Sequence, residues 1–221
     1  MRMLANFKLI ALSVTIGLGL VAQSTSAKAA GTETLLVAGG CFWCVESDFE
    51  SVKGVQDVIS GFAGGSVKNP TYKQVVAGGT GHYEAAQIQY DPAVVSADQL
   101  LAMFFRSVDP TDAGGQFCDR GDSYRTAIFA DGPVEKAAAQ KAKADAQAAL
   151  GKTVVTPILG KAAFYPADDY HQNYYKSSER LAFSSVGLGV KKSDAYKRYR
   201  DRCGRDQRVK QLWGDAAPFT H

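Results

Sequence analysis

A cysteine pair with two aromatic neighbours is the segment of this sequence best suited to chemistry. Gly40-Cys41-Phe42-Trp43-Cys44 follows a short apolar run and precedes apolar residues at helical spacing. This pattern predicts that Cys41 lies where a strand passes into a helix. A thiol in the first helical turn faces unpaired backbone N–H groups and the positive end of the helix dipole, which lower its pKa. We therefore predict a nucleophilic Cys41, with Phe42 and Trp43 forming an apolar wall suited to a substrate atom that carries a methyl group.

The cysteines permit other interpretations. Two cysteines three positions apart at a helix start resemble the redox motif of thioredoxins, although this chain is much longer than a thioredoxin. Cys41 and Cys44 could also be a buried structural pair. A cysteine hydrolase could use Cys41 with His82, but the sequence offers no evident third partner. A metal-binding module is a further alternative, yet one C-x-x-C with the distant Cys118 and Cys203 lacks the paired spacing of structural zinc sites.

Short strands and helices alternate along the rest of the chain without a break in composition. Strands are predicted at residues 35–38, 55–59, 83–90, 124–130 and 153–159. Helices are predicted at 100–108 and 133–150, with shorter ones after residue 71, at 170–175 and at 206–213. Residues 109–122 are expected to form a loop, and the tail from 186 onward to be otherwise irregular. The alternation predicts one α/β or α+β domain.

The N-terminus has the pattern of an export signal. Arg2 and Lys8 precede an uncharged apolar run at residues 9–22, and Ala27-Lys28-Ala29 is a small-x-small cleavage site. The run is about 14 residues, shorter than the ~20 that span a bilayer as a helix. An uncleaved membrane anchor is the alternative. We expect a secretory signal peptide at 1–29, a single catalytic domain at 30–221, and a periplasmic or secreted protein.

The charge balance excludes a general affinity for polyanions. The full chain has 25 Lys and Arg against 22 Asp and Glu, and removing the three basic residues of the predicted signal leaves 22 of each. Such a chain has no general attraction for nucleic acid or an anionic membrane surface. The basic segment at 197–202 is predicted to be a solvent-exposed face. Four cysteines are too few and too unevenly spaced to staple an exported chain of this length, so a redox role is at least as well supported as a disulfide framework.

Six segments, in chain order, carry a specific resemblance. They are Gly40-Cys41-Phe42-Trp43; Asn69-Pro70-Thr71-Tyr72; Gly81-His82-Tyr83-Glu84-Ala85 with Tyr90-Asp91-Pro92; Asp119-Arg120-Gly121-Asp122-Ser123-Tyr124-Arg125; Tyr165-Pro166-Ala167-Asp168-Asp169-Tyr170-His171-Gln172; and Cys203-Gly204-Arg205-Asp206 with Leu212-Trp213-Gly214. Together they resemble the peptide-methionine (S)-S-oxide reductases, the A-type methionine sulfoxide reductases. The resemblance spans residues 35 to 214.

The resemblance implies reduction of the S epimer of methionine sulfoxide, free or in proteins, to methionine. Cys41 would attack the sulfoxide sulfur. Glu84, kept protonated by burial, would protonate the departing oxygen. Tyr72 and Tyr124 would donate hydrogen bonds to the same oxygen. Asp119 would orient Tyr124 or the substrate backbone.

The attack would leave Cys41 as a sulfenic acid, which a second thiol can convert to a disulfide. Cys203 is the thiol that the resemblance favours, because it lies in a glycine-containing tail. Cys44, three positions along a helix, and Cys118, beside Asp119, are the alternatives. Many members of the family lack Cys44 and carry another residue at position 118, so the disulfide route is left open.

The resemblance also implies the architecture and the partners. We expect a central mixed sheet flanked by helices, with an irregular C-terminal tail. Oxidised proteins or free methionine sulfoxide would be the substrates, and a thioredoxin-like reductant would recycle the enzyme without a cofactor or metal. A monomer is expected, and His82 and His171 are predicted to be structural.

Overall fold

The computed structural model describes residues 31–184 and 187–220. The predicted signal peptide at 1–29 lies outside the described residues and stays a prediction. Within the described ranges, no helix combines the length and the hydropathy needed to cross a membrane.

The chain forms ten strands and six helices in the part that the structure describes. The strands are, in order, β1 Glu33–Gly39, β2 Val55–Ala63, β3 Tyr83–Tyr90, β4 Gly115–Gln116, β5 Asp119–Arg120, β6 Thr126–Ala130, β7 Ile158–Gly160, β8 Phe164–Pro166, β9 Arg180–Ser184 and β10 Gly187–Lys191. The helices are α1 Phe42–Glu50, α2 Tyr72–Val76, α3 Ala97–Ser107, α4 Pro133–Leu150, α5 Lys192–Arg202 and α6 Arg205–Trp213.

Six of the strands form one mixed sheet in the order β7-β6-β1-β3-β2-β8. Strand β7 runs parallel to β6, while the other neighbouring pairs are antiparallel. Helices α1, α3 and α4 pack against the sheet, and α3 also packs against α4. The predicted α/β class and the central mixed sheet flanked by helices are therefore confirmed.

Helices α1 and α3 pack large apolar side chains on the sheet, and α4 adds the small side chains of Ala139 and Ala146 to the same core. The shared core includes Val45, Phe49, Leu100, Phe104 and Ile128. Burying each such side chain stabilises the fold by about 1.5–3 kcal/mol. Helix α3 begins at Ala97, three residues before the predicted start, because the Ser96 side chain accepts a hydrogen bond from the backbone N–H of Gln99 in a reciprocal capping box.

Strand β1 passes into helix α1 through a turn that requires glycine. Gly40 has a φ of +80°, and a Cβ at this position would lie 2.5 Å from the Cβ of Gln116. Glycine alone combines this backbone conformation with this close approach. Cys41 follows as the N-cap of α1, so the predicted strand-to-helix junction is confirmed.

The C-terminal third holds more regular structure than the sequence predicted. Only a 3-10 turn, Tyr174–Lys176, forms where a helix was expected at 170–175. Beyond it, β9 and β10 pair as an antiparallel hairpin and α5 and α6 follow, where an irregular tail was expected. The predicted loop at 109–122 also contains the short β4–β5 pair. These elements are short or rich in charge, so hydrophobic periodicity does not reveal them.

Helix α5 turns part of the basic segment inward. Arg200 is only 5% exposed, and it donates hydrogen bonds to Asp48 at 2.7 Å and to Asp206 at 2.9 Å. A buried cation is tolerated when it is paired and hydrogen-bonded in this way. The prediction that residues 197–202 form a solvent-exposed face is therefore wrong for Arg200, and also for Tyr199, which is half-buried.

Candidate active site

A small pocket lies where the start of α1 meets α2, β3, the segment around residues 119–124 and α5. Its lining side chains come from distant parts of the sequence: Cys41, Phe42, Trp43, Tyr72, Glu84, Asp119, Tyr124 and Tyr199. The structure thus brings together all seven residues predicted to act in catalysis or to contact substrate. Tyr199 is the member that the sequence prediction missed.

Glu84 is a buried acid held against the backbone of the nucleophile's helix. It lies on β3 and is 2% exposed, and its Oε2 accepts a hydrogen bond of 3.0 Å from the backbone N–H of Phe42. Burial raises the pKa of Glu84 to about 8, although hydrogen bonds from Phe42 and Tyr124 oppose the rise. The carboxyl group is therefore mainly protonated at neutral pH, as a proton donor must be.

Cys41 is a buried thiol rather than the thiolate that the sequence predicted. Its side chain is 6% exposed. Burial raises its pKa well above the ordinary value, and the neighbouring Cys44 and the charges of Glu84 and Asp119 act in the same direction. The prediction of a lowered pKa is wrong because burial of the thiol, reinforced by Cys44, Glu84 and Asp119, raises the pKa; the Phe42 N–H at the start of the helix binds Glu84. Ionisation of Cys41 therefore needs a proton acceptor.

Cys44 lies beside Cys41, and its pKa is shifted in the opposite direction. The pKa of Cys44 is lowered to about 7, mainly by the hydrogen bond from the Cys41 thiol. Burial acts to raise this pKa, and the positive charges of Arg205 and Arg200 act against burial. Both cysteines are free thiols in this structure. Their contact allows Cys44 to take the proton that Cys41 must lose.

Two tyrosines complete the polar side of the pocket. Tyr72 is the first residue of α2, whose start is fixed by a capping box between Thr71 and Gln74. Tyr124 ends the 3-10 turn Asp122–Tyr124. The two hydroxyl groups share a hydrogen bond, and burial raises the pKa of both phenols. They remain protonated near neutral pH and can donate to an oxygen in the pocket.

Asp119 is held by a residue that was not predicted. The Tyr199 hydroxyl donates a hydrogen bond to Oδ2 of Asp119, so the partner of this carboxylate is Tyr199 rather than Tyr124. Burial raises the pKa of Asp119, while Tyr199 and the charge of Arg205 oppose the rise. A usable signal was present in the sequence: Tyr196, Tyr199 and Cys203 share one face of a helix at i, i+3 and i+7.

The apolar wall extends from the pocket onto the C-terminal segment. Phe42 and Trp43 lie 6.1 Å apart between ring centroids, and Trp43 stacks on Tyr174 at 3.8 Å. His171 packs against Tyr72 at 4.2 Å and stacks on Trp43 at 5.6 Å. Burial lowers the pKa of His171, so it packs as a neutral ring, as predicted.

His82 has both ring nitrogens engaged away from the pocket. Its Nδ1 accepts a hydrogen bond from the backbone N–H of Gly65 at 3.1 Å, and Nε2 lies 2.7 Å from the carbonyl oxygen of Val67. It therefore holds the loop at 65–67 and is absent from the lining of the Cys41 pocket. This geometry disfavours the cysteine hydrolase hypothesis.

The other two cysteines are joined to each other. Cys118 and Cys203, separated by 85 positions, form a disulfide. Cys203 is thus bonded to Cys118 and not to Cys41 in this structure. Among the described residues, one candidate metal group is found, Cys118 with Asp119 and Cys203, whose ligand atoms lie within 4.8 Å of one another. The disulfide uses both of its sulfurs, which disfavours a metal-binding module.

The comparisons with known proteins agree with this geometry. A family model described as peptide methionine sulfoxide reductase matches residues 33–213. The peptide methionine sulfoxide reductase MsrA 2 of Rhizobium meliloti is 45% identical over 191 residues, covering 86% of this chain and 88% of that protein. A protein of the same name from Caulobacter vibrioides is 46% identical over 184 residues, covering 83% and 86%.

Two solved structures resemble the fold. The crystal structure of Mxr1 from Saccharomyces cerevisiae in reduced form has a TM-score of 0.62 and 30% identity, covering 66% of this chain and 85% of that chain. Methionine sulfoxide reductase A of Corynebacterium diphtheriae has a TM-score of 0.61 and 34% identity, covering 72% and 83%.

Proposed function

The chain belongs to the peptide methionine sulfoxide reductase family, and on that premise we propose that it reduces methionine sulfoxide to methionine with Cys41 as nucleophile and Glu84 as proton donor. The observation that carries these two roles is that a protonated, buried Glu84 accepts a hydrogen bond from the backbone N–H of Phe42, the residue after Cys41. An acid and a nucleophile thereby line the same small pocket.

In the first step, the Cys41 sulfur attacks the sulfoxide sulfur while the sulfoxide oxygen accepts hydrogen bonds. Glu84 protonates that oxygen, and Tyr72 and Tyr124 donate to it as it gains negative charge. Cys44 accepts the thiol proton of Cys41. The oxygen then passes to the Cys41 sulfur as the sulfoxide S–O bond and the newly formed sulfur–sulfur bond break. The sulfoxide gains two electrons and leaves as methionine, and Cys41 loses two electrons and becomes a sulfenic acid.

The apolar wall supports recognition of the methyl group and of one sulfoxide epimer. Sulfoxide sulfur is chiral, and a site that places oxygen at Glu84 and methyl against Phe42 and Trp43 accepts a single hand. We propose that the S epimer is reduced, free or within oxidised proteins. Reaction of the two separated epimers at comparable rates would contradict this assignment.

Cys44 is best placed to resolve the sulfenic acid. Its thiol already contacts Cys41, whereas Cys203, which the sequence favoured, is bonded to Cys118. Attack by the Cys44 thiol, which took up a proton in the first step, on the Cys41 sulfur forms a disulfide, and its proton joins the departing hydroxyl to leave as water. A thioredoxin-like dithiol then supplies two electrons, and this chemistry needs no prosthetic group.

The cellular location is a separate part of the proposal. The charged start, apolar run and small-x-small site at residues 1–29 support export, leaving residues 30–221 as one domain. N-terminal sequencing of the protein from the exported fraction tests this. A mature chain that begins near Ala30 supports it, and an intact Met1 contradicts it.

The proposed reaction is tested by a single turnover without reductant. Fully reduced protein is mixed with a methionine S-sulfoxide, and methionine is measured by chromatography. The parent should form methionine, and Cys44→Ser should form it more slowly because it lacks the proton acceptor of the first step. Cys41→Ser should form none, because a hydroxyl is a poor nucleophile toward sulfur at neutral pH. Methionine formation by Cys41→Ser contradicts the proposed role of Cys41.

A further inference from the structure

The β9–β10 hairpin has one apolar face, and only half of that face is buried. Leu181 and Phe183 are two positions apart on β9, so their side chains point to the same side of the hairpin. Val190 and Leu188 lie directly opposite them in the antiparallel register, which places all four side chains on one face. Leu181 is 8% exposed, whereas Phe183 and Leu188 are 83% and 73% exposed. The face is therefore buried at the end near α5 and open to solvent at the other end.

The buried half of this face packs around the nucleophile. Leu181 belongs to the apolar cluster that contains Cys41 and Cys44, and Val190 packs against that cluster. Trp43 also packs against the cluster and lines the catalytic pocket. Same-face side chains on a strand are about 7 Å apart. The exposed half of the face therefore begins about 7 Å beyond a cluster that it shares with the pocket wall.

The pocket wall reaches solvent beside the same hairpin. Trp43 stacks on Tyr174 at 3.8 Å between ring centroids, and Tyr174 packs against Tyr170 at 5.8 Å. Tyr170 is 46% exposed. Lys192, the residue after β10, places its Nζ 4.0 Å from the centroid of the Tyr170 ring. An aromatic surface therefore runs from the pocket to the base of the hairpin, where the apolar face begins.

The size of the pocket decides which part of a substrate lies outside it. Its volume is about 60 Å³, which is room for a sulfoxide group and its methyl but not for a peptide. The backbone of a polypeptide substrate and its neighbouring side chains must therefore lie on the surrounding surface. A contiguous apolar pair such as Phe183 and Leu188 gains free energy when an apolar side chain removes it from water. This pair lies on a surface continuous with the pocket wall, so one bound polypeptide can reach both.

We propose that Phe183 and Leu188 are a docking site for an apolar side chain of a polypeptide substrate, a side chain within a few residues of the methionine sulfoxide. This inference rests on the proposed function and names the preferred substrate, an oxidised and extended segment with apolar neighbours. An extended chain advances about 3.3 Å per residue, so a neighbour two to four positions away lies about 7–13 Å from the sulfoxide. Segments of this composition come from protein cores, so the site favours unfolded proteins over free methionine sulfoxide.

Three substrates separate the hairpin pair from the pocket. They are N-acetyl-methionine S-sulfoxide, a glycine-rich peptide with one central methionine S-sulfoxide, and the same peptide with a leucine three positions away on each side. Of the three, the leucine peptide alone can place an apolar side chain on the hairpin pair. Single turnovers of fully reduced protein are followed by rapid quench over a range of substrate concentrations. No reductant is added, so docking of a reductant does not enter the measurement.

The variant tested is Phe183→Ser/Leu188→Ser. Its matched control is Val134→Ser, which replaces an 81% exposed side chain near the start of α4. The parent and the control should reduce the leucine peptide about tenfold more efficiently than the glycine peptide, the ratio that about 1.4 kcal/mol of apolar contact produces. The double variant should reduce both peptides equally. It should reduce N-acetyl-methionine S-sulfoxide at the parent rate, because this substrate does not reach the hairpin.

Other outcomes overturn the inference or the proposed function. A preference for the leucine peptide that survives in the double variant would overturn the docking site. An equal loss on all three substrates would overturn it too, because the pair would then act through the cluster around Cys41. Sedimentation at the assay concentration tests a second copy of the chain as the occupant: a parent dimer that the double variant dissociates would make the pair a subunit contact instead. If the parent forms no methionine even from N-acetyl-methionine S-sulfoxide, the proposed function itself fails, and the inference fails with it.

Discussion

The pocket around Cys41 and its rim, defined by Cys118 and Cys203, surround their carboxyl groups with different neighbours. Inside the pocket, Glu84 has no cation within hydrogen-bonding reach among its described partners, and burial raises its pKa to about 8. Near Cys118 and Cys203, Asp119 accepts a hydrogen bond from Tyr199. This hydrogen bond and the positive charge of Arg205 both oppose the rise in the pKa of Asp119 that burial causes. Two carboxyl groups of one pocket are thereby given different tasks: a neutral acid faces the substrate, and an anchored carboxylate faces the cysteines of the rim.

The largest expected effect on methionine formation comes from replacing the nucleophile Cys41, and replacing Cys203 should have a much smaller effect on the first turnover. Cys41→Ser should lose all measurable methionine formation, even in one turnover with excess enzyme. Cys203→Ser should still form the first methionine, because the first step needs only Cys41 and Cys44. The yield of methionine per chain, measured after rapid quenching, distinguishes them. If formation of the first methionine depends on Cys203, reduction of the sulfoxide is not carried out by Cys41 and Cys44 alone.

The next effect tests the neutral acid of the pocket against the carboxylate of the rim. Glu84→Gln keeps size and polarity but cannot donate a proton, so the rate of the first step should fall about 10²–10⁴-fold. Asp119→Asn is the matched control and should lose far less, because Asp119 donates no proton to the sulfoxide. Rapid-quench measurement at pH 7 compares them. A loss in Asp119→Asn equal to that in Glu84→Gln would contradict the division of roles.

The pH dependence of the same step sharpens this comparison. The active form of Glu84 is the protonated one, so the contribution of this acid should be constant below pH 7 and decline as the pH rises through its pKa of about 8. Solvent can protonate the oxygen at low pH, so Glu84→Gln should recover part of its rate there. A parent profile without a decline between pH 7 and 9 would mean that Glu84 is not the acid.

The raised pKa of Glu84 should also make the free energy of unfolding depend on pH. The folded-state pKa of Glu84 is raised above its ordinary 4.5 to about 8, so the folded protein holds this proton more tightly than the unfolded chain. The contribution of Glu84 to the free energy of unfolding is therefore most favourable below pH 4.5 and is lost as the pH rises toward 8. Glu84→Gln, which does not titrate, should gain stability relative to the parent between pH 5 and pH 8. Urea denaturation at both pH values measures it, and an unchanged difference contradicts the raised pKa.

The smallest expected effect is at the hydroxyl that holds the rim. Tyr199→Phe keeps the ring beside Trp43 but removes the hydrogen bond to Asp119, an interaction with a charged group that contributes about 1.5–3 kcal/mol. Part of this loss should appear as a several-fold fall in kcat/KM, with a smaller change in stability. Tyr196→Phe, on the same helix, removes a hydroxyl that accepts a hydrogen bond from the buried Arg200, so it should lower stability without a specific loss of kcat/KM. The same division of the effect between stability and kcat/KM in both variants would mean that the Tyr199 hydroxyl has no specific role in the pocket.

The sequence was informative where local pattern and chemistry coincide. The junction at Cys41 and helix α4 at Pro133–Leu150 were predicted because glycine turns, apolar periodicity and helix propensity depend on near neighbours. The seven predicted pocket residues came from short motifs and a family resemblance, and the fold collects them. The direction of the pKa shift of Cys41 could not be predicted, because it depends on burial and on the tertiary neighbours Glu84 and Asp119.

The C-terminal segment was harder to predict for a physical reason. Helix α5 has a high charge content, so its sequence suggests a solvent-exposed face, and only the tertiary partners Asp48 and Asp206 make Arg200 a buried residue. The same long-range packing brings Tyr199 to the pocket and Cys203 to Cys118. Pairings across 85 positions have no local signal in a single sequence.

The most direct test of the central claim is to map the cysteine that changes during the first turnover. Reduced Cys118→Ser/Cys203→Ser protein is mixed with one equivalent of methionine S-sulfoxide, quenched with an alkylating agent, digested and analysed by mass spectrometry. The account predicts one methionine formed for each Cys41–Cys44 disulfide, with Cys41 protected from alkylation in proportion to product. Formation of methionine while Cys41 remains fully alkylatable would contradict the claim that this thiol reduces the sulfoxide.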